Sequence, residues 1–306
     1  MALTKTSDGL AGAPPANTSR FRLSSITPAS RYYWIRLMLE NPAALMSLGF
    51  VALLLLVALF APVVANHEPK FVDPVVRLQG PSSEHWFGTD DLGRDVFSRV
   101  VYGTRISLLV GVTVMVGAIL LGSILGLVAG YYAKIDTLVM RIMDGLEAFP
   151  SILLAIAIMA TLGPAVKNVV IALAVVYTPN IARMVRSTTL MNKRQPYVES
   201  ARAIGMRDAM ILRRYILMNS LSPLIVQGTF VIAFGILAEA SLSFLGAGVP
   251  PETPTWGSLV SSGQPRLQQA WWVAVFPGTL LFLTVLSMNL LGDGLRDALD
   301  PRSRKR

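Results

Sequence analysis

Residues 191–225, MNKRQPYVESARAIGMRDAMILRRYILMNSLSPLI, form a polar, basic stretch between two long apolar runs. Lys193, Arg194, Arg202, Arg207, Arg213 and Arg214 face only two acids here, Glu199 and Asp208. Gln195-Pro196 is a helix start signal, and Val198 to Ala203 is a good helix former. Gly205 interrupts the pattern, and Ala209 to Leu217 reads as a second helix. The expectation is a helix, a tight turn at Gly205, and a second helix lying on a membrane face. On charge alone, a basic loop between spans is a positive-inside anchor. Its internal order asks for more: Ser200, Ala201 and Ala203 make a small-sided helix that offers a compact knob to a partner.

Working outward, composition supports the membrane setting. Of 306 residues, 53% are hydrophobic and 15% charged, with a mean hydropathy of +0.55. Several apolar runs approach the ~20 residues that cross a bilayer. There is no cysteine, so disulfides, thiolate metal sites and Cys nucleophiles are excluded. His67 and His85 are the only histidines, and no metal site is expected from them. The net charge of +9 is spread beside the spans, which points to membrane anchoring and lipid contact rather than to nucleic acid.

Taken in order, residues 1–42 form an N-terminal tail. Its first thirty residues are rich in Ala, Pro, Ser and Thr and read as disordered; Arg31 to Arg36 read as an interfacial helix. A first span covers 43–65, followed by a polar excursion over 66–105. There Val96, Phe97, Val100 and Val101 share a helical face. The second span, about 106–132, carries a Gly122-Gly126-Gly130 ladder that allows close helix approach. A third span, 137–162, is kinked at Pro150; a fourth covers 165–185. After the polar loop, 191–222, a fifth span runs over 223–245. A turn-rich loop over 246–270 leads to a sixth span that starts at Trp271-Trp272 and ends near 291. Residues 292–306 are a short tail. The core domain is thus 106–291. Six spans put both termini on one side, which holds 20 Lys and Arg against 7 on the other. That bias puts both termini and the 191–222 loop in the cytoplasm.

The 199–218 register resembles the EAA loop of ATP-binding-cassette (ABC) importer permeases. Glu199, Ser200, Ala201, Gly205 and Leu217 match in place, while Tyr215 and Met218 stand where that motif has Ile and Pro. Pro223, five residues on, is then the expected helix breaker. EHWFGTDDLGRDVFSRVVYGTRISL (84–108), SLSFLGAGVPPETPTWG (241–257) and NLLGDGLRDALDP (289–301) resemble the dipeptide, oligopeptide and nickel permease branch, so the likeness covers most of 31–302. It implies an all-α integral membrane protein with the type I ABC importer permease fold, in a bacterial cytoplasmic membrane. It implies a homologous second permease, two cytoplasmic ATPase subunits that hold ATP and Mg, an extracytoplasmic solute-binding protein, and a peptide substrate. Nickel, glutathione or another small solute remains open. Glu199, Ser200, Ala201, Arg202, Ala203, Gly205, Met206 and Asp208 are its candidate coupling residues.

No GxxxxGK[ST], GxSxG or HExxH pattern is present, so the chain reads as a transport subunit without catalytic or cofactor-binding residues of its own. A secondary transporter or channel would want more intramembrane polar groups and would leave the ordered basic loop unexplained. Ionisable groups in spans are costly and therefore informative. Asp144 and Glu147 lie near the end of span three, and Arg141 is the expected i,i+3 partner of Asp144. Glu239 lies deep in span five with no cation near it in sequence. It is a candidate pathway contact or a buried acceptor for Ser or Thr.

Overall fold

A computed structural model describes residues 41–299. The expectations for residues 1–40 and 300–306 lie outside it. Among the described residues the regular structure is helical, with one isolated bridge between Thr89 and Asp95. Helix α1 (Pro42–Leu59) starts under the Asn41 side chain, which accepts from the Ala43 and Ala44 amides at 3.1 and 3.3 Å. This cap with Pro at the first position is a strong start signal. Eighteen residues rise about 27 Å, just enough for a ~30 Å hydrocarbon core. A single turn, α2 (Ala61–Val64), follows. The long helix α3 (Val96–Tyr131) begins at Asp95, whose carboxylate accepts from the Ser98 amide at 2.7 Å. Then come α4 (Ala133–Glu147), α5 (Ser151–Leu162), α6 (Val166–Asn192), α7 (Pro196–Ala203), α8 (Asp208–Ile211), α9 (Met218–Phe244), α10 (Trp256–Gly263) and α11 (Trp272–Leu299).

Among the described residues, five helical rods are long and apolar enough to span a membrane, and α4 with α5 makes a sixth if that bent pair counts as one span. Three sequence expectations need correction. The helix that carries the second span, α3, begins at Val96, and its first turns bury Val96, Val100 and Val101. Pro150 does not kink a span but breaks it, with a 94° bend between α4 and α5. Pro150 has extended ψ of 128°, and proline cannot donate back into the preceding turn. Pro223 does not break the helix; it lies inside α9. Upstream, a π-helical stretch at Leu212–Leu217 joins α8 to α9 in one rod. The 246–270 loop is not all turns. It contains α10, closed at its start by a reciprocal Thr255–Ser258 capping box.

The core lies between α3, α6 and α9, around Val110, Val114, Ala118, Leu173, Ile181, Val231 and Leu242. The α3–α6 contact is the most extensive helix pairing. The glycine ladder explains it: a Cβ on Gly126 would fall 2.4 Å from the Ala182 carbonyl oxygen. One on Gly122 or Gly130 would fall 2.6 Å from the Cβ of Ile181 or Thr189. The two backbones therefore touch over two helical turns. On the outside, Leu53, Leu55, Leu56 and Leu59 of α1 are exposed, as a lipid-facing surface requires. One end of the bundle gathers the 131–136 turn and residues 192–217. The other gathers 66–95 and 246–272.

Gly126→Leu should force α3 and α6 apart and cost about 1–3 kcal/mol, the usual penalty of overpacking. Gly145 in α4 has open space where a methyl group would sit, so Gly145→Ala should gain about 0.5–1 kcal/mol from helix propensity. Thermal midpoints in detergent report both. A Gly126→Leu midpoint equal to wild type would mean that α3 and α6 do not pack this closely.

Candidate functional site

The 192–217 end of the bundle is built around a short, tightly closed helix. Gln195 is extended and Pro196 opens α7, so the helix starts where proline costs nothing. Its end is a Schellman turn. The Gly205 amide donates to Arg202 O at 2.9 Å and the Met206 amide to Ala201 O at 3.1 Å, with Gly205 at φ +78°. Such closure needs a left-handed residue after the cap, which glycine supplies without strain. No atom lies within 4 Å of a Cβ placed on Gly205. Glycine is required here for its backbone angle and not for close approach.

The inner face of α7 is Val198 and Ala201, both buried with Tyr131, Ile211 and Ile216, and Met206 packs against them. This corrects the expected small face, because Ala201 points inward and cannot belong to the knob. Glu199, Ser200, Arg202, Ala203, Gly205 and Asp208 are exposed, and Met206 is half-buried. The largest apolar surface is Ile204, 78% exposed at the tip.

Two tyrosines that the sequence did not single out hold the knob to the bundle. Tyr131 Oη donates to Asp208 Oδ1 at 2.6 Å and Tyr132 Oη reaches Oδ2 at 3.3 Å. The Arg202 guanidinium lies 5.0 Å over the Tyr131 ring, a cation–π contact. Lys193 Nζ donates to Gly130 O at 2.7 Å. Both tyrosines follow the last glycine of the ladder, and an aromatic pair at a span end is the signal that could have found them.

The acidic residues of α4 belong to the same end. Asp144 accepts from Arg183 at 3.1 Å, and Glu147 is bonded to the same guanidinium. The expected partner Arg141 is replaced by a residue on α6, because α4 packs beside it. Arg186 adds a two-pronged pair with Asp136 at 2.5 and 2.6 Å. The broken helix is thus tied to α6 by charge while α7 is tied to α3 by aromatics.

Glu239 lies far from this cluster. It is fully buried and accepts from Ser243 Oγ at 2.8 Å and Thr255 Oγ1 at 2.9 Å. Thr255 caps α10, so Glu239 anchors α10 to α9. Both bonds fall on Oε1; Oε2 is buried without a hydrogen-bond partner among the described residues.

Two family models match the chain. Residues 118–305 match the binding-protein-dependent transport system inner membrane component, and residues 31–81 match the N-terminal TM domain of oligopeptide transport permease C. The chain is 47% identical to a dipeptide transport system permease protein of Alkalihalophilus pseudofirmus, over 87% of this chain and 88% of that protein. It is 45% identical to a glutathione transport system permease protein of Pectobacterium atrosepticum, over 92% and 94%. In fold it is similar to a chain of the MetNI methionine ABC transporter in an inward-facing form. That match has a TM-score of 0.55 and 21% identity, and covers 66% of this chain and 97% of the other.

Glu239→Gln keeps an acceptor for Thr255 and Ser243, so its thermal midpoint should stay near that of wild type. Glu239→Leu leaves buried hydroxyls unpaired and should cost about 1–3 kcal/mol, with faster proteolysis of the 246–271 loop. Equal midpoints for Glu239→Leu and wild type would contradict the anchoring role.

Proposed function

This chain belongs to the family of binding-protein-dependent transport system inner membrane components, and on that premise we propose that it forms half of a peptide-translocation pathway. It is an ABC importer permease of the inner membrane. The other half is a homologous second permease. ATP and Mg are held by two cytoplasmic ATPase subunits, and an extracytoplasmic solute-binding protein delivers the cargo. Di- or oligopeptide is the substrate class, supported by relatives named for dipeptide and for glutathione transport. Glutathione is kept as a specific alternative for that reason.

The observation that carries the mechanism is the construction of α7. Its inner face is clamped by Tyr131, Ile211 and Ile216, while Ser200, Arg202, Ala203 and Ile204 face outward. A helix held on one side and bare on the other transmits displacement. An ATPase groove that takes Ile204 and the Arg202–Arg207 rim would push α7 as a unit. The motion would pass through Tyr131 into α3 and through the α8–α9 rod into the bundle. Alternating access then follows from rocking these rods against the second permease. The charge bias supports a cytoplasmic position for this end and for both termini.

A bulky residue at Gly205 must adopt a left-handed angle at a cost of roughly 1–2 kcal/mol, enough to shift a docking equilibrium about tenfold. Gly205→Arg should therefore leave expression and pairing with the second permease intact, because nothing in the bundle touches that position. Peptide uptake in proteoliposomes should fall about tenfold, and ATPase activity should cease to respond to the loaded binding protein. Normal uptake with normal ATPase stimulation would leave α7 as no more than a basic anchor.

A further inference from the structure

The two histidines of the chain lie 18 residues apart in sequence, on an excursion that reads as a polar loop, and the fold brings them together. Their rings are 4.8 Å apart between centroids. Asp95, the cap of α3, completes a trio in which one ligand atom from each residue lies within 4.8 Å of the other two. His85 Nδ1 is 2.9 Å and His67 Nδ1 3.8 Å from Asp95 Oδ1. The sequence alone argues against histidine metal chemistry because two imidazoles are too few. Here both of them meet a buried carboxylate.

Each ligand is fixed by its backbone. The His67 amide donates to Ser98 Oγ at 3.0 Å. The His85 amide donates to Ser82 Oγ at 3.0 Å, and its carbonyl accepts from the Ser82 and Gly88 amides at 2.8 and 2.9 Å. Asp95 spends Oδ2 on the Ser98 amide, which leaves Oδ1 directed at the imidazoles. His67 Nδ1 is buried and without a hydrogen-bond partner among the described residues. An imidazole nitrogen 3.8 Å from a carboxylate oxygen is too far for a hydrogen bond. It is within the range of two ligands that share one ion.

We propose that His67, His85 and Asp95 bind a divalent first-row metal ion of the zinc type. Zinc takes imidazole and carboxylate at about 2 Å in tetrahedral geometry, which sets its ligands roughly 3.3 Å apart. The two separations from Asp95 Oδ1, 2.9 and 3.8 Å, straddle that value, and all three ligand atoms lie within 4.8 Å of one another, so the imidazoles close on a shared ion by side-chain rotation. Binding takes the neutral His85 imidazole with its proton on Nε2, so that Nδ1 exchanges its hydrogen bond to Asp95 for the metal without net proton release. The fourth position opens to a cavity of about 140 Å³ that Glu68, Asp73 and Glu84 also line. Water or one of these carboxylates fills it. A bound ion staples three separate pieces: the segment after α2, the 82–88 turn, and the start of α3. This role is independent of what the importer carries.

The absence of cysteine and of other histidines makes the test clean, provided the affinity tag contains no histidine. The full chain in detergent is titrated with Zn²⁺ against a chromophoric chelator, with Co²⁺ as a spectroscopic probe. Wild type should bind one equivalent and give tetrahedral Co²⁺ absorption. His67→Ala and His85→Ala should each weaken Zn²⁺ binding at least about tenfold and abolish that absorption. Zn²⁺ should slow proteolysis of the 66–95 segment in wild type and not in His67→Ala. His67 is partly exposed, and His67→Gln gives the same reading should the alanine variant not remain monodisperse. If wild type binds no Zn²⁺, or if the alanine variants bind it as tightly, the trio is a hydrogen-bonded loop and the proposal is wrong.

Discussion

Backbone contact between α3 and α6 is the constraint on which the rest of the structure depends. In lipid there is no hydrophobic drive to press one apolar helix against another, so association rests on close packing. Gly122, Gly126 and Gly130 supply it by removing side chains where Ile181, Ala182, Val185 and Thr189 approach. The ladder ends at Gly130, next to the residues that hold α7. Lys193 bonds to the Gly130 carbonyl, and Tyr131 and Tyr132 turn outward to catch Asp208. Moving α3 along α6 would move the seat of α7.

From that seat the chain divides into parts with different stiffness. The knob is held by a small apolar cluster and a few polar bonds, and its outer face is bare. The bent α4–α5 pair is held by Arg183 and Arg186, whose partners are largely at the surface. By contrast, the opposite end is locked by buried groups. Arg99 reaches the Pro69 and Pro251 carbonyls and lies 3.6 Å from Asp90. Trp272 Nε1 donates to Thr89 O, and Glu239 holds Thr255. The two ends thus differ in construction: one is locked by buried groups, and the other presents a bare helix face.

Much of this was legible in the sequence, and for physical reasons. Spans announce themselves because lipid demands long apolar runs, and the glycine ladder because close approach demands glycine at every fourth position. Gly205 is legible because a helix stop of this kind leaves few other residues. What the sequence hid was nearly all long-range. Arg183 lies 39 residues from Asp144 and Asp208 lies 77 from Tyr131, and no local periodicity encodes such pairs. The inward turn of Ala201 was hidden because it depends on Tyr131 and Ile211, not on α7 itself. Pro223 misled because a long membrane helix can carry a proline inside it, as α9 does.

The central claim is that the bare face of α7 docks on an ATPase subunit at the cytoplasmic side. Ile204 is the most direct probe, since it is exposed at the tip and the chain has no native cysteine. Ile204→Cys should resist an impermeant thiol reagent on intact cells. It should label readily in inverted vesicles that contain the two permeases alone, and become protected when the ATPase subunits assemble. Labelling from outside on intact cells, or equal labelling with and without the ATPase subunits, would contradict the account.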